Sequence, residues 1–246
     1  ASGSYALDLQ GTLIGKTNNF LDNVTGDLSK SLLNNDRIKH MELNLEVQDH
    51  LKPTFSLTNV NKISEDSTSV FFNQNTASFH NNDQTLNLGV GYRQLINEDK
   101  ILLGVNIFLD YSFDDAHQRN GIGLEAISSV FDIRGNYYDA TSGIQDISAG
   151  ISEEAMDGFD LRLDYHLPFN YNSRVFVSVF DFENGSGSFD VKGEKYGLNI
   201  FANNLDLEIG YTDDNRISDG IFAYVSYTLP LGAKIMYTKK TDDLFE

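Results

Sequence analysis

Ile101-Leu102-Leu103-Gly104-Val105-Asn106-Ile107-Phe108-Leu109-Asp110-Tyr111-Ser112-Phe113 decides the fold. Every odd position is apolar: Ile101, Leu103, Val105, Ile107, Leu109, Tyr111 and Phe113. The even positions include Gly104, Asn106, Asp110 and Ser112. Side chains of a strand point alternately to two faces, so this run predicts one greasy face and one polar face. Globular strands average about 5–6 residues. A tilted strand of about 9–11 crosses a bilayer, and this run is long enough to do so.

The same period recurs on both sides of it. Met41, Leu43, Leu45 and Val47 oppose Glu42, Asn44 and Glu46. Leu86, Leu88, Val90 and Tyr92 oppose Asn87, Gly89, Gly91 and Arg93. Phe159, Leu161, Leu163, Tyr165 and Leu167 oppose Asp160, Arg162, Asp164 and His166. Leu205, Leu207, Ile209 and Tyr211 oppose Asp206, Glu208 and Gly210. The last run sets Ile221, Ala223, Val225, Tyr227 and Leu229 against Ser226 and Thr228.

Turn-rich tracts separate the runs, and short gaps such as 96–100 alternate with longer ones such as 112–120. Twelve strands are predicted, at about 40–48, 52–60, 68–80, 84–95, 101–113, 119–128, 130–140, 157–168, 173–183, 193–203, 204–212 and 219–229. The weakest are the second, third and ninth. Phe71 and Phe72 interrupt the alternation, and 175–182 is apolar or small on both faces. An even count with alternating loop lengths suits a single-chain transmembrane barrel.

The fold class expected is therefore all-β, a 12-stranded antiparallel transmembrane β-barrel with a short N-terminal helical segment. Phe20, Leu21, Val24, Leu28 and Leu32 place that helix at about 19–33. It would pack on or below the barrel, or plug its pore. The domain reading is 1–39 as a periplasmic or plug segment, 40–230 as the barrel, and 231–246 as the start of a linker or the end of the last strand.

A soluble sandwich also reads apolar-in and polar-out. Against it stand the strand lengths, only 3 prolines to guard sheet edges, and Tyr and Phe gathered near run ends like interfacial girdles. The absence of Trp detracts from the girdle. In a membrane, Leu88, Val90, Val105, Ile107, Leu161, Leu163, Leu207, Ile209 and Val225 would face lipid. Glu42, Glu46, Arg93, Asn106, Asp110, Glu125, Arg134, Asp160, Arg162, Asp164, Asp206 and Glu208 would line the lumen, their mixed signs allowing pairs across a narrow bore. About twelve strands leave room for a polypeptide or plug but not for a general porin channel.

A mean hydropathy of −0.31 is what an alternating barrel gives, and no apolar run approaches the ~18 residues of a membrane helix. Without cysteine there is no disulfide, zinc-thiolate site or thiol nucleophile. A net charge of −18 disfavours nucleic acid as a partner. The chain opens on Ala1-Ser2-Gly3-Ser4-Tyr5 rather than a charged segment and apolar core. The export signal that an outer-membrane protein needs is thus expected to have been removed.

The chemistry of an enzyme is sparse. Asp114, Asp115 and His117 share one loop where a His and an Asp could activate water, but a solvated acidic loop is the simpler reading. Asp213, Asp214 and Asp219 do not have the spacing of an EF-hand loop. Gly121-Ile122-Gly123 precedes no helix and is no nucleotide loop; its glycines would admit neighbouring side chains. No catalytic residue, metal ligand or cofactor is assigned.

Several motifs bear a resemblance. Gly89-Val90-Gly91-Tyr92-Arg93 followed by Leu103-Gly104-Val105-Asn106-Ile107-Phe108-Leu109-Asp110 resembles paired central strands of the intimin/invasin (inverse autotransporter) adhesins. So do Arg119-Asn120-Gly121-Ile122-Gly123-Leu124-Glu125, Gly135-Asn136-Tyr137-Tyr138 with Ser142-Gly143, and Asp157-Gly158-Phe159-Asp160 closing at Leu167-Pro168. They stand in the family's order over about 85–168, with weaker similarity from about 40 to 229.

The resemblance implies a barrel that anchors a C-terminal adhesin passenger and passes it to the surface by type V secretion. The implied partners are outer-membrane lipid, barrel-assembly machinery, periplasmic chaperones and, through the passenger, a host or surface receptor. The sequence departs from the pattern at Glu246, where no passenger follows. Either the chain is cut back to its barrel or the barrel works alone. The other reading is a small outer-membrane channel or barrel enzyme.

Overall fold

The computed structural model describes residues 38–229 except positions 50, 82, 99, 149–150, 171, 186, 188 and 217–218. The proposed helix at 19–33 and linker at 231–246 lie outside the described residues. Fourteen strands are described: β1 (Ile38–Gln48), β2 (Thr54–Glu65), β3 (Ser69–His80), β4 (Asp83–Ile96), β5 (Ile101–Ser112), β6 (Gln118–Ser128), β7 (Phe131–Ala140), β8 (Gln145–Ser148), β9 (Ile151–Glu153), β10 (Met156–His166), β11 (Ser173–Asn184), β12 (Asp190–Ala202), β13 (Leu205–Asp214) and β14 (Gly220–Thr228).

Twelve of them close into one antiparallel barrel, each pairing with its sequence neighbours once β8 and β9 are set aside. β1 completes the ring against β14, from Glu42 opposite Thr228 to Gln48 opposite Phe222. Closure leaves no unpaired edge, which a sheet in hydrocarbon could not tolerate. The small β8–β9 hairpin rises within the connection from β7 to β10. Its few residues carry no long alternation, so periodicity does not reveal it.

Register sorts the side chains. Val90, Ile107, Ile122, Tyr137 and Phe159 lie opposite one another across five strands and all are exposed. The neighbouring phase contains Arg93, Gly104, Glu125, Arg134, Arg162, Ser178, Lys195 and Thr212 in one continuous row. Arg162 on β10 reaches Glu208 on β13. Two strands separate these residues, so the contact runs through the interior and this phase is the inner wall.

The inner wall is built on glycines facing large side chains. Phe72 lies over Gly91, where an added Cβ would stand 2.5 Å from the ring. The Phe108 ring occupies the place of a Gly121 Cβ, and the Glu125 carboxyl that of a Gly104 Cβ. The glycines of 119–125 thus make room for neighbours, as their spacing suggested. The same device explains part of β11: Phe182 packs on Gly158.

At one rim Val60, Val70, Phe72 and Leu102 form an inward apolar cluster, backed by Leu95 and Ile127. Met41, Leu43 and Leu229 form another with Leu57 and Tyr227, on the outward phase. Both chain ends of the barrel, the start of β1 and the end of β14, lie at the same rim. That rim carries the connections 66–68, 97–100, 129–130, 167–172 and 203–204. The far rim carries 49–53, 81–82, 113–117, 141–155, 185–189 and 215–219.

Candidate functional site: the inner wall

Arg134 and Arg162 stand directly opposite each other on β7 and β10, and so do Asp132 and Asp164 one step along the same strands. Like charges paired across strands repel. Here each strand alternates sign instead, and a contact along each strand together with one diagonal contact joins the four. Arg134 lies 3.3 Å from Asp132 and 3.4 Å from Asp164. Arg162 lies 2.8 Å from Asp164 and 2.7 Å from Glu208.

The cluster extends in both directions. Glu125 accepts a 2.6 Å bond from Arg93 Nε and lies 3.9 Å from Arg134. Asp132 accepts from Arg174 at 2.8 Å, and His166 Nε2 sits 3.1 Å from its other oxygen. Arg93, Arg134, Arg162 and Arg174 thereby match Glu125, Asp132, Asp164 and Glu208. The Asp132 side chain is 0% exposed. A carboxylate so buried is tolerable only when cations and donors surround it.

Aromatic faces complete the guanidinium shells: Phe176 under Arg162 at 4.0 Å, Phe201 under Arg174 at 4.5 Å and Phe72 under Arg93 at 5.0 Å. A second group lies toward the far rim. Asp110 accepts from Asn87 at 2.5 Å and Arg119 at 2.9 Å. Asp160 accepts from Asn136 and from Tyr138. Asn106 flanks Gly123 together with Asn136.

The opposite part of the wall, from β13 through β1 to β3, is different. Asp206 accepts from Asn199 at 2.5 Å. Glu42 contacts His40, and Glu46 is 3.5 Å from Lys195. Asn44 donates to Ser56, and the Thr58 and Thr76 hydroxyls meet at 2.9 Å. No arginine lies on these strands.

The residues assigned from sequence to the apolar face fall on the other phase. Leu88, Val90, Val105, Ile107, Leu161, Leu163 and Ile209 are exposed, while Leu207 and Val225 are half-buried. The sequence reading omitted Asp132 and Arg174. The signal was available, because Asp132 shares the parity of Arg134 two residues on, and Arg174 opens a strand opposite His166.

The far-rim loops hold no comparable machinery among the described residues. Asp114 accepts from the Gln84 amide and so fixes the loop. Ligand atoms of Asp115, His117 and Glu153 lie within 4.8 Å of one another. Asp214 caps the Arg216 amide, and Asp190 accepts from Arg216.

The inverse autotransporter β-domain family profile matches residues 8–241. The chain belongs to the inverse autotransporter β-domain family. Intimin of Escherichia coli O111:H- is 33% identical over 99 residues, which cover 39% of this chain and 10% of intimin. A putative attaching and effacing protein homolog of Escherichia coli K12 is 28% identical over 131 residues, or 52% of this chain and 43% of the homolog. The chain thus spans less than half the length of these relatives.

Solved structures share the inverse autotransporter barrel's fold at low identity. A chain from work on in-meso crystallisation of membrane proteins matches with a TM-score of 0.70 and 19% identity, over 80% of this chain and 86% of its own. The KdgM porin matches with a TM-score of 0.55 and 10% identity, over 78% and 100%. The inverse autotransporter domain is an outer-membrane β-barrel of the bacterial envelope, and its family is one of non-enzymatic barrels.

Proposed function

We propose that this inverse autotransporter barrel anchors a C-terminal adhesin passenger in the outer membrane and guides it through the lumen to the cell surface. One observation carries the reading. β14 ends at the rim where β1 begins, with Thr228 opposite Glu42. Any chain that follows β14 must turn back through the bore to reach the far rim. With the shared rim in the periplasm, the far-rim loops and the β8–β9 hairpin face outward.

In this reading the exposed apolar rows meet hydrocarbon and the inner wall surrounds water. The arginine network then has a mechanical role. Each guanidinium is matched by a carboxylate of the wall, so a passing polypeptide meets few free arginines to bind it. The wall from β12 to β3 carries amides and hydroxyls beside the carboxylates of Glu42, Glu46 and Asp206. Asn44 and Asn199 each have a buried Oδ1 with no hydrogen-bond partner among the described residues. Backbone N–H groups of an extended linker are donors of the right kind.

Barrel-assembly machinery and periplasmic chaperones are the partners this role requires during assembly, and a host or surface receptor would be the passenger's. The test is an epitope with a protease site fused after Glu246. The reading expects protease added to intact cells to remove the epitope. Protection on intact cells, with cleavage only after lysis, would contradict it. Conductance separates the alternative of a small channel. A translocator should be nearly closed and should open when 1–37 or 230–246 is removed. A steady, substrate-selective current indifferent to both truncations belongs to a channel.

A further inference from the structure

At the far rim, Asp115 and His117 stand on the connection from β5 to β6, and Glu153 ends β9. One ligand atom of each lies within 4.8 Å of the other two. Neither carboxylate forms an ion pair with a lysine or arginine among the described residues, and nearby Arg119 is held by Asp110. Two acids so close together attract a cation.

His117 supplies a second, independent observation. Its Nδ1 lies 3.4 Å from Ser142 Oγ, and that hydroxyl oxygen already accepts the Gln118 amide at 3.0 Å. An oxygen with two lone pairs can accept from both. This puts the ring proton on Nδ1 and leaves the lone pair on Nε2. Nε2 is shut off from solvent and has no hydrogen-bond partner among the described residues. A buried polar atom without a partner is rare and calls for a bound water or ion.

We propose that Asp115, His117 and Glu153 bind a divalent ion of the zinc class, through His117 Nε2 and one carboxylate oxygen from each acid. Donor chemistry selects the ion. Calcium takes about six to eight oxygens, and magnesium keeps several of its waters. An imidazole with two carboxylates suits zinc and its first-row neighbours, with water in the fourth position. The two carboxylates balance the charge of the ion, and Ser142 orients the ring from its other side, as such outer partners do. Ligand atoms bonded at about 2.0–2.2 Å stand roughly 3.3–3.6 Å apart in a tetrahedron, so the three draw in by about 1 Å. Glu153 is exposed, and its long side chain can make that move. The ion then ties the β5–β6 connection to the β8–β9 hairpin.

Zinc alone is the probe. The 246-residue barrel, extracted in detergent and stripped with a chelator, is titrated with Zn²⁺ at neutral pH against a chromophoric chelator. The proposal expects one saturable site per chain. His117→Ala and Glu153→Gln should each abolish it while the barrel stays heat-modifiable, and His80→Ala, at the same rim, should leave it unchanged. Ser142→Ala keeps all three ligands and should weaken binding about tenfold; unchanged affinity there removes Ser142 from the site. Zinc should also slow amide exchange at 151–153 in the parent but not in Glu153→Gln. No uptake by the parent overturns the site and leaves water at Nε2. Uptake undiminished in both His117→Ala and Glu153→Gln overturns it too. Uptake without slower exchange overturns the tie between the two loops. None of these readouts involves a passenger, so the ion site and the secretion role stand or fall separately.

Discussion

Arg134, on the wall from β4 to β11, lies among the carboxylates of Glu125, Asp132 and Asp164. Thr58, in the sector from β1 to β3, bonds only the Thr76 hydroxyl among the described side chains. Both positions are inward and both strands belong to one continuous ring. The first region places charges inside and keeps its middle outward rows purely apolar. The second sets neutral hydroxyls and amides inside, beside the carboxylates of Glu42 and Glu46, and places amides outside as well. Buried charge demands matched partners and a sharp division of faces. Neutral amides are cheaper to carry on either face, and the division can blur.

The largest effect expected from this contrast is at Arg162. Replacing it with Ala leaves Asp164 and Glu208 without the cation between them, and loss of one partner of such a buried pair costs about 3–5 kcal/mol. Thr58→Ala should cost about 1 kcal/mol, a typical neutral hydrogen bond. Urea unfolding of the barrel in lipid vesicles reads both. Equal losses would erase the distinction between the two walls.

Facing gives the next effect. Val105→Arg should cost about 2–4 kcal/mol near the bilayer midplane, while Asn106→Arg should assemble nearly as well as the parent. Yields of heat-modifiable barrel in the outer membrane compare the two, and equal yields would count against the facing.

The strong contrast on β4 to β7 and β10 is also why they could be read from sequence. Leu103, Val105, Ile107 and Leu109 against Gly104, Asn106 and Asp110 leave one choice of period and phase. β2 and β3 were harder for a physical reason: Asn59, Asn61, Asn73 and Asn75 put polar groups on the outward phase, and a bulge between Lys62 and Ser64 shifts the register. Phe71 and Phe72 do not break β3. Phe71 points outward and Phe72 inward over Gly91, so both faces are aromatic there and periodicity is silent.

The inner ring could be read one strand at a time, from Arg93 or Glu125. Which charges meet could not, because pairing such as Arg162 with Glu208 depends on closure and on a side chain reaching past the two intervening strands, β11 and β12. The β8–β9 hairpin escaped because its strands are too short to show a period.

Glycine positions give smaller effects. Gly121→Ala pushes a methyl into the Phe108 ring on the charged wall, and such overpacking costs about 1–3 kcal/mol. Phe108→Ala in the same chain should relieve the clash, which a double-mutant cycle measures as a favourable coupling. Gly143, open around its Cβ position, should accept Ala with no measurable change.

The smallest effect lies in the turn that joins β2 to β3. Asp66 accepts from the amides of Thr68 and Ser69 at 2.8 Å each and from the Ser69 hydroxyl. The amide of Thr68, first of all, holds its carboxyl below the usual carboxylate range. That support is fully present above the ordinary value of about 3.9 and fades as pH falls through the lowered folded value. Asp66→Asn should therefore weaken the turn at neutral pH and differ less from the parent in strong acid. Amide exchange at Thr68 and Ser69 is the readout, and a difference unchanged by acid would contradict it.

Asn106 and Ile107 are adjacent residues with opposite surroundings. Asn106→Cys and Ile107→Cys in intact outer membranes are treated with a water-soluble and a lipophilic maleimide. The bore should admit the water-soluble reagent to position 106, and hydrocarbon should reserve position 107 for the lipophilic one. Equal labelling of the two positions by the water-soluble reagent would mean that the apolar rows do not face lipid.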